Sequence, residues 1–359
     1  MIGLYVHIPF CPSLKCPYCD FYSVPFNPEL AYSYSQAVIR NLKEYNDSFD
    51  TVYFGGGTPS LMPWEITQIL AKAHCELNCE ITIESNPGGL STGDLIMLKN
   101  SGVNRISIGV QSFSDSELYY IGRNHTAETA INSIRLAYDS GFFNISADLM
   151  LGIPYQTADS VKRSIDMLGK LPLTHVSAYM LKIEPNTPFS SKPPVLPDED
   201  TVADIYLTAA NELEKLGFLQ YEVSNFAKPG FECKHNLKYW KSETYLGIGA
   251  GAHSYYFGER FYVTKDIKGF IDSHTQQTIP IGSEADEASA FADYAMLKLR
   301  LTEGLTYKEC QRFGIGRAEL EKRLLNIPEG HVTIDADRIY LTKKGFLLSN
   351  SIIAKIIYE

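Results

Sequence analysis

The sequence predicts an α/β fold: a partial (β/α)6 TIM-like barrel, open on one side, followed by a smaller α+β C-terminal region that ends in a winged-helix-like cap. Three observations carry this expectation. Residues 2–181 alternate strand-like and helix-like runs in six successive units. Helices between strands imply a parallel sheet, and right-handed crossovers curl such a sheet. Six units fall short of the eight that close a barrel. The pattern then breaks at a stretch carrying Pro185, Pro188, Pro193, Pro194 and Pro197. Last, short helical runs near the end flank a hairpin-like pair at 332–334 and 339–341.

The elements follow in order. Ile2–Ile8 is a short β-rich run, and 28–45 has helical spacing. Residues 51–54 read as a strand that ends in Gly55-Gly56-Gly57, and 63–74 as a helix. Residues 80–84 alternate as a strand. Ser91 and Asp94 form a capping box, and Gly102 closes that helix. Residues 103–110 are the fourth strand, and 126–140 a helix capped by Thr126 and ended by Gly141. A strand at 144–150, a helix at 161–171 and a sixth strand at 175–181 complete the barrel. Helices are also predicted at 200–216 and 288–301, around a stretch dense in Gly, Tyr and Asn. The predicted division is a barrel at 1–184, a linker and substrate-handling region at 185–301, and a winged-helix-like domain at 302–359.

The chain has 359 residues, 32 Lys and Arg against 42 Asp and Glu, and a net charge of −10. That balance argues against nucleic acid or anionic membranes as partners, since both want a basic surface. No apolar stretch approaches the ~18 residues of a membrane span. The N-terminus has no basic region, and His7 and Pro9 break its apolar run, so a cytoplasmic protein is expected.

Seven cysteines are unevenly placed, with Cys11, Cys16 and Cys19 crowded into one loop. In a reducing compartment such a cluster means metal or redox chemistry. Structural zinc wants four protein ligands, and only three cysteines are close. Three thiolates on an iron–sulfur cluster leave one iron open to a small molecule. Cys75 and Cys79, placed at a helix end and the following turn, read as ordinary thiols, as does Cys310.

The cysteine loop together with Gly55-Gly56-Gly57-Thr58-Pro59-Ser60 resembles the radical S-adenosylmethionine (SAM) superfamily. More narrowly it resembles the branch that holds oxygen-independent coproporphyrinogen III dehydrogenase and the HemW-type haem chaperones. The resemblance runs nearly end to end and implies the radical SAM fold. It implies a 4Fe-4S cluster on Cys11, Cys16 and Cys19, whose open iron chelates SAM. It also implies one-electron cleavage of SAM to methionine and a 5′-deoxyadenosyl radical, with an electron donor such as flavodoxin. One departure stands out: the family has three residues between its first two cysteines, and this chain has four, Pro12 to Lys15. A member without a cluster is the alternative that this departure leaves open.

In parallel barrels functional groups sit at the C-terminal ends of strands. Glu84 ends the third strand and Gln111 the fourth; Arg123 lies twelve residues later, and Asp148 is on the fifth. By resemblance these bind SAM with Tyr5, Gly56, Gly57 and Thr58. An arginine suits the SAM carboxylate, and carboxylates and a glutamine suit ribose hydroxyls and the sulfonium. Singly each reads as a solvated cap or surface residue; together, on successive strand ends, they read as a site. Tyr179 and Glu184 are candidates for a substrate pocket or for structure.

The branch is read from three features. Two residues past the third cysteine, where the dehydrogenase has a fourth, this chain has Phe21, the HemW-like pattern. The dehydrogenase carries a long extension before its first strand, and this chain begins at that strand. His235-Asn236-Leu237-Lys238-Tyr239-Trp240 matches the HemW-type His-Asn-x-x-Tyr-Trp motif, associated with haem handling. His235, Tyr239 and Trp240 are therefore haem candidates, with Cys233 and His253 as neighbouring ligands; packing between barrel and C-terminal region suits the same residues. The implied function is haem chaperone, with a haem-acceptor protein as partner. The alternative is a coproporphyrinogen oxidase that acts on a porphyrinogen.

Overall fold

The computed structural model describes residues 1–12, 15–282 and 287–358. Its barrel strands are β1 (Ile2–Ile8), β2 (Phe49–Gly56), β3 (Cys75–Ser85), β4 (Arg105–Gln111), β5 (Asn144–Leu151) and β6 (His175–Met180). Between them run α1 (Pro28–Leu42), α2 (Pro63–Leu70), α3 (Thr92–Asn100), α4 (Ala127–Asp139) and α5 (Ala158–Leu168). All neighbouring pairs from β1 to β6 are parallel. The helices begin where the capping chemistry lies. Ser91 and Asp94 form the predicted reciprocal box, and the Thr126 and Thr157 hydroxyls cap α4 and α5.

The region after residue 185 is not a separate layer. After α6 (Glu199–Lys215), β7 (Leu219–Gln220) and β8 (Asn225–Ala227) extend the β6 edge. After α7 (Lys234–Trp240), β9 (Tyr245–Ile248) pairs parallel to β1, and β10 (His253–Tyr256), β11 (Glu259–Val263) and β12 (Thr278–Pro280) follow antiparallel. The result is one sheet of 12 strands in the order β12-β11-β10-β9-β1-β2-β3-β4-β5-β6-β8-β7. Residues predicted as a middle region thus widen the barrel sheet at both edges. Gly3, Tyr5 and His7 alternate along β1 and face the barrel interior, while Leu4, Val6 and Ile8 are fully buried under the helices.

α8 (Glu287–Lys298) leads to the C-terminal end. There β13 (Leu305–Thr306), β14 (Val332–Ile334) and β15 (Arg338–Leu341) make a separate antiparallel sheet in the order β13-β15-β14. It stands with α9 (Arg317–Arg323), α10 (Lys343–Leu347) and α11 (Ser349–Tyr358) where the winged-helix-like cap was expected. No described helix is long and apolar enough to cross a membrane.

Candidate functional site

The cysteine loop leaves β1 and is closed at its neck. The Val24 N–H donates to the Pro9 carbonyl at 2.9 Å, and the Phe26 N–H to the Cys11 carbonyl at 2.8 Å. Residues 13 and 14, within the four-residue spacing singled out above, lie outside the described residues. The second half of the loop is clasped from outside. The Phe189 N–H donates to the Pro17 carbonyl at 3.0 Å, and Gly122 packs on the Pro17 ring. The Cys19 N–H donates to the Cys16 carbonyl at 3.1 Å.

All seven cysteines are free thiols. The Cys11 sulfur accepts from the Thr58 hydroxyl at 3.9 Å, and the Cys16 sulfur from the Arg123 guanidinium at 3.3 Å. Burial pushes the Cys19 thiol up to about 11, and the neighbouring Cys16 and Cys11 add to that. Among the described residues no three His, Cys, Asp or Glu side chains converge on one point.

The glycine turn after β2 lies directly beneath this loop. The Gly57 N–H donates to the Ile8 carbonyl at 2.8 Å and the Thr58 N–H to the Phe10 carbonyl at 2.7 Å. A Cβ at Gly57 would meet the Ile8 carbonyl at 2.8 Å, so only glycine permits this approach. Gly56 has φ +112, and a Cβ there would collide with the His7 ring.

The other predicted residues occupy successive strand ends. Glu84 accepts from the Tyr53 hydroxyl at 2.8 Å and the Gly56 N–H at 3.2 Å. Burial pushes its carboxyl up to about 7. Asp148 accepts from the Ser107 hydroxyl at 3.0 Å, and burial raises its carboxyl as well. Gln111 accepts from the Tyr179 hydroxyl at 2.8 Å and has φ +67, a strained value for a non-glycine residue. Arg123 donates to Asn86 at 2.7 Å and to the Gly109 carbonyl at 2.9 Å, while its Nε is buried without a partner. An orphaned guanidinium nitrogen next to Cys16, with the Glu84 and Asp148 carboxylates on neighbouring strands, fits a ligand with both anionic and cationic ends.

Sequence reasoning missed three contributors. Asn86 orients Arg123, Tyr53 orients Glu84, and Tyr18 faces Cys16. Asn86 and Tyr18 stand inside motifs already singled out, so adjacency was their only signal. Glu184 lies apart from the cluster and pairs with the exposed Lys182 at 2.8 Å. Cys75 and Cys79 sit on β3, not at a helix end, because the strand begins with an exposed extension that lacks apolar alternation.

The haem candidates divide. His235 is fully buried beside Gly3 and Thr51, near the starts of β1 and β2. Its Nδ1 is hydrogen-bonded to the Thr51 hydroxyl at 2.8 Å and its Nε2 to the Tyr239 hydroxyl at 2.8 Å. Its N–H donates to Glu80 at 3.1 Å. Cys233 is also fully buried, and Trp240 lies under the Arg300 guanidinium at 5.8 Å. Tyr239 reaches a cavity next to the mouth, which His253 also lines.

Residues 5–168 match the family model of the radical SAM superfamily. Over its full length the chain is 34% identical to the haem chaperone HemW of Haemophilus influenzae, covering 98% of it. It is 35% identical to those of Escherichia coli and Bacillus subtilis, covering 98% and 100% of them. Among solved structures, the radical SAM enzyme coproporphyrinogen III oxidase HemN from Escherichia coli superposes with a TM-score of 0.83. That match covers 99% of this chain and 90% of the other at 21% identity, a likeness of fold.

Proposed function

The chain belongs to the radical SAM superfamily and, within it, to the family of the haem chaperone HemW, and we propose that it binds haem as cargo and passes it to an acceptor protein. The observation that carries this reading is the end-to-end match to the HemW relatives at 34% and 35% identity. Phe21 supports it, standing where the dehydrogenase resemblance would require a fourth cysteine.

Cys11, Cys16 and Cys19 would hold a 4Fe-4S cluster, and SAM would lie over the glycine cradle. When bound, the cluster supplies an open iron for SAM and the electron, received from a donor such as flavodoxin, that cleaves it. The protein's own residues fix the ligand. Arg123, oriented by Asn86 and Gly109, offers its free Nε to a carboxylate. The Glu84 carboxylate, held by the Tyr53 hydroxyl and the Gly56 N–H, takes the amino end. Asp148 and Gln111 are held by Ser107 and Tyr179 to meet hydroxyls.

Glu84 makes this site sensitive to pH. Its carboxyl is raised from an ordinary 4.5 to about 7. The neutral form is favoured by folding, so its stabilising contribution is fully present below about 4.5 and is lost as pH rises to about 7. A cationic ligand needs the ionised form. SAM affinity is therefore expected to rise by up to about tenfold per pH unit below 7 and to level off above it. Calorimetric titration of wild type and Glu84→Gln checks this; an equal slope in both would remove Glu84 from the role.

The functional test is anaerobic incubation of the reconstituted protein with SAM, reductant and coproporphyrinogen III, beside a titration with ferric haem. Haem binding without turnover is the expected result. Formation of protoporphyrinogen IX would replace the chaperone reading with the oxidase one.

A further inference from the structure

A cavity of about 360 Å³ opens beside the mouth, between the inner face of β1 and the strands that extend its edge. Tyr5, Tyr239 and Tyr245 line it, the last two rings edge to face with planes at 78°. One wall is Asp20, Phe21 and Tyr22, the residues that follow Cys19 in the chain. Phe21 is 61% exposed there, an uncovered ring against the cavity. His253 and Lys265 complete the lining.

The histidines near the barrel differ in what their ring nitrogens already do. His235 has both engaged, by Thr51 and Tyr239. His7 has both engaged, by the Tyr5 hydroxyl and the Tyr22 carbonyl, each at 2.9 Å. His253 is exposed, and among the described residues neither of its nitrogens has a hydrogen-bond partner. Its ring is held by stacking on Tyr262, with centroids 5.4 Å apart and planes at 23°. Burial and the nearby Lys265 lower its pKa, which keeps the imidazole neutral and able to bind a metal. Lys265 makes no salt bridge among the described residues, and it packs with Tyr22 against Gly251. The site thus offers aromatic rings, one open imidazole and one cation without a salt bridge among the described residues. Asp20 in the same lining would repel a carboxylate, which leaves Lys265 as the partner for the acidic edge of a ligand.

We propose that haem docks in this cavity, with His253 as an axial ligand to its iron and Lys265 paired to a propionate. The assignment rests on the haem-chaperone reading. It moves the ligand role from the buried His235 to a histidine that a macrocycle can reach.

The test is a titration of the full-length protein with ferric haem, followed by the Soret band and electron paramagnetic resonance. Wild type should show an imidazole-ligated ferric spectrum. His253→Ala should bind at least about tenfold more weakly and lose that signature, and free imidazole should restore it. Lys265→Glu should weaken binding of ferric haem but not of its dimethyl ester, which lacks the propionate charges. Unchanged affinity and spectrum in His253→Ala would overturn the site while leaving the chaperone reading intact. If wild type itself takes up no haem, both fall together. His253 is exposed, so its replacement does not threaten the fold.

Discussion

Replacing Cys16 with alanine is expected to reduce the iron content of the anaerobically reconstituted protein from about four per chain to near zero. Two thiolates cannot hold three corners of a cubane, and among the described residues no further His, Cys, Asp or Glu side chains gather to replace the third. Cys16 also accepts from Arg123, so its loss removes one of the contacts that fix the guanidinium. Cys75→Ala is the matched control, because Cys75 is exposed on the far part of β3. It should keep the full iron content. The extra residue between Cys11 and Cys16 does not alter this expectation. The loop neck is pinned by two backbone hydrogen bonds, from Val24 to Pro9 and from Phe26 to Cys11. Doubling such a loop would cost about 0.6 kcal/mol in closure entropy, and one residue costs a small part of that. Iron and sulfide analysis decides the matter. A wild type without iron would make the chain a member without a cluster, and iron retained in Cys16→Ala would require other ligands.

The six barrel units were legible because each carries its own local signal. Period changes mark the strands, and Ser91 and Thr126 mark helix starts that the hydrogen bonds bear out. The cysteine loop was legible for the same reason, since its three cysteines lie within nine residues. What was missed is what depends on distant pairing. β9 joins β1 with Gly3 opposite Tyr245, and nothing local in the glycine-rich stretch around it announces a parallel strand. Arg123 finds Asn86 and Cys16, partners 37 and 107 residues away. The burial of His235 is of this kind too. The motif around it was visible, but whether α7 turns the imidazole inward or outward depends on Thr51, 184 residues earlier.

That inward turn sets up a large effect on stability. His235→Ala is expected to destabilise the haem-free protein by about 3–5 kcal/mol, a large share of the ~5–15 kcal/mol that holds most folds. The imidazole is fully buried and stacks on Tyr53 at 5.2 Å, so its removal leaves a cavity. It also leaves the Thr51 and Tyr239 hydroxyls without partners in a setting where an unmet polar group costs ~1–3 kcal/mol. Glu80 keeps its bond to the His235 backbone, so the helix start itself survives. The pH dependence identifies the cause. Burial, with Lys238 and Arg105 adding, depresses the imidazole from 6.5 to about 3. A base with a depressed folded value contributes stability that is fully present above about 6.5 and is lost as pH falls toward 3. The gap in urea midpoint between wild type and His235→Ala should therefore be widest above pH 6.5 and should narrow as the solution is acidified. A variant with the wild-type midpoint in the absence of haem would show that the imidazole does not brace the barrel, and would return it to the list of ligands for the cargo.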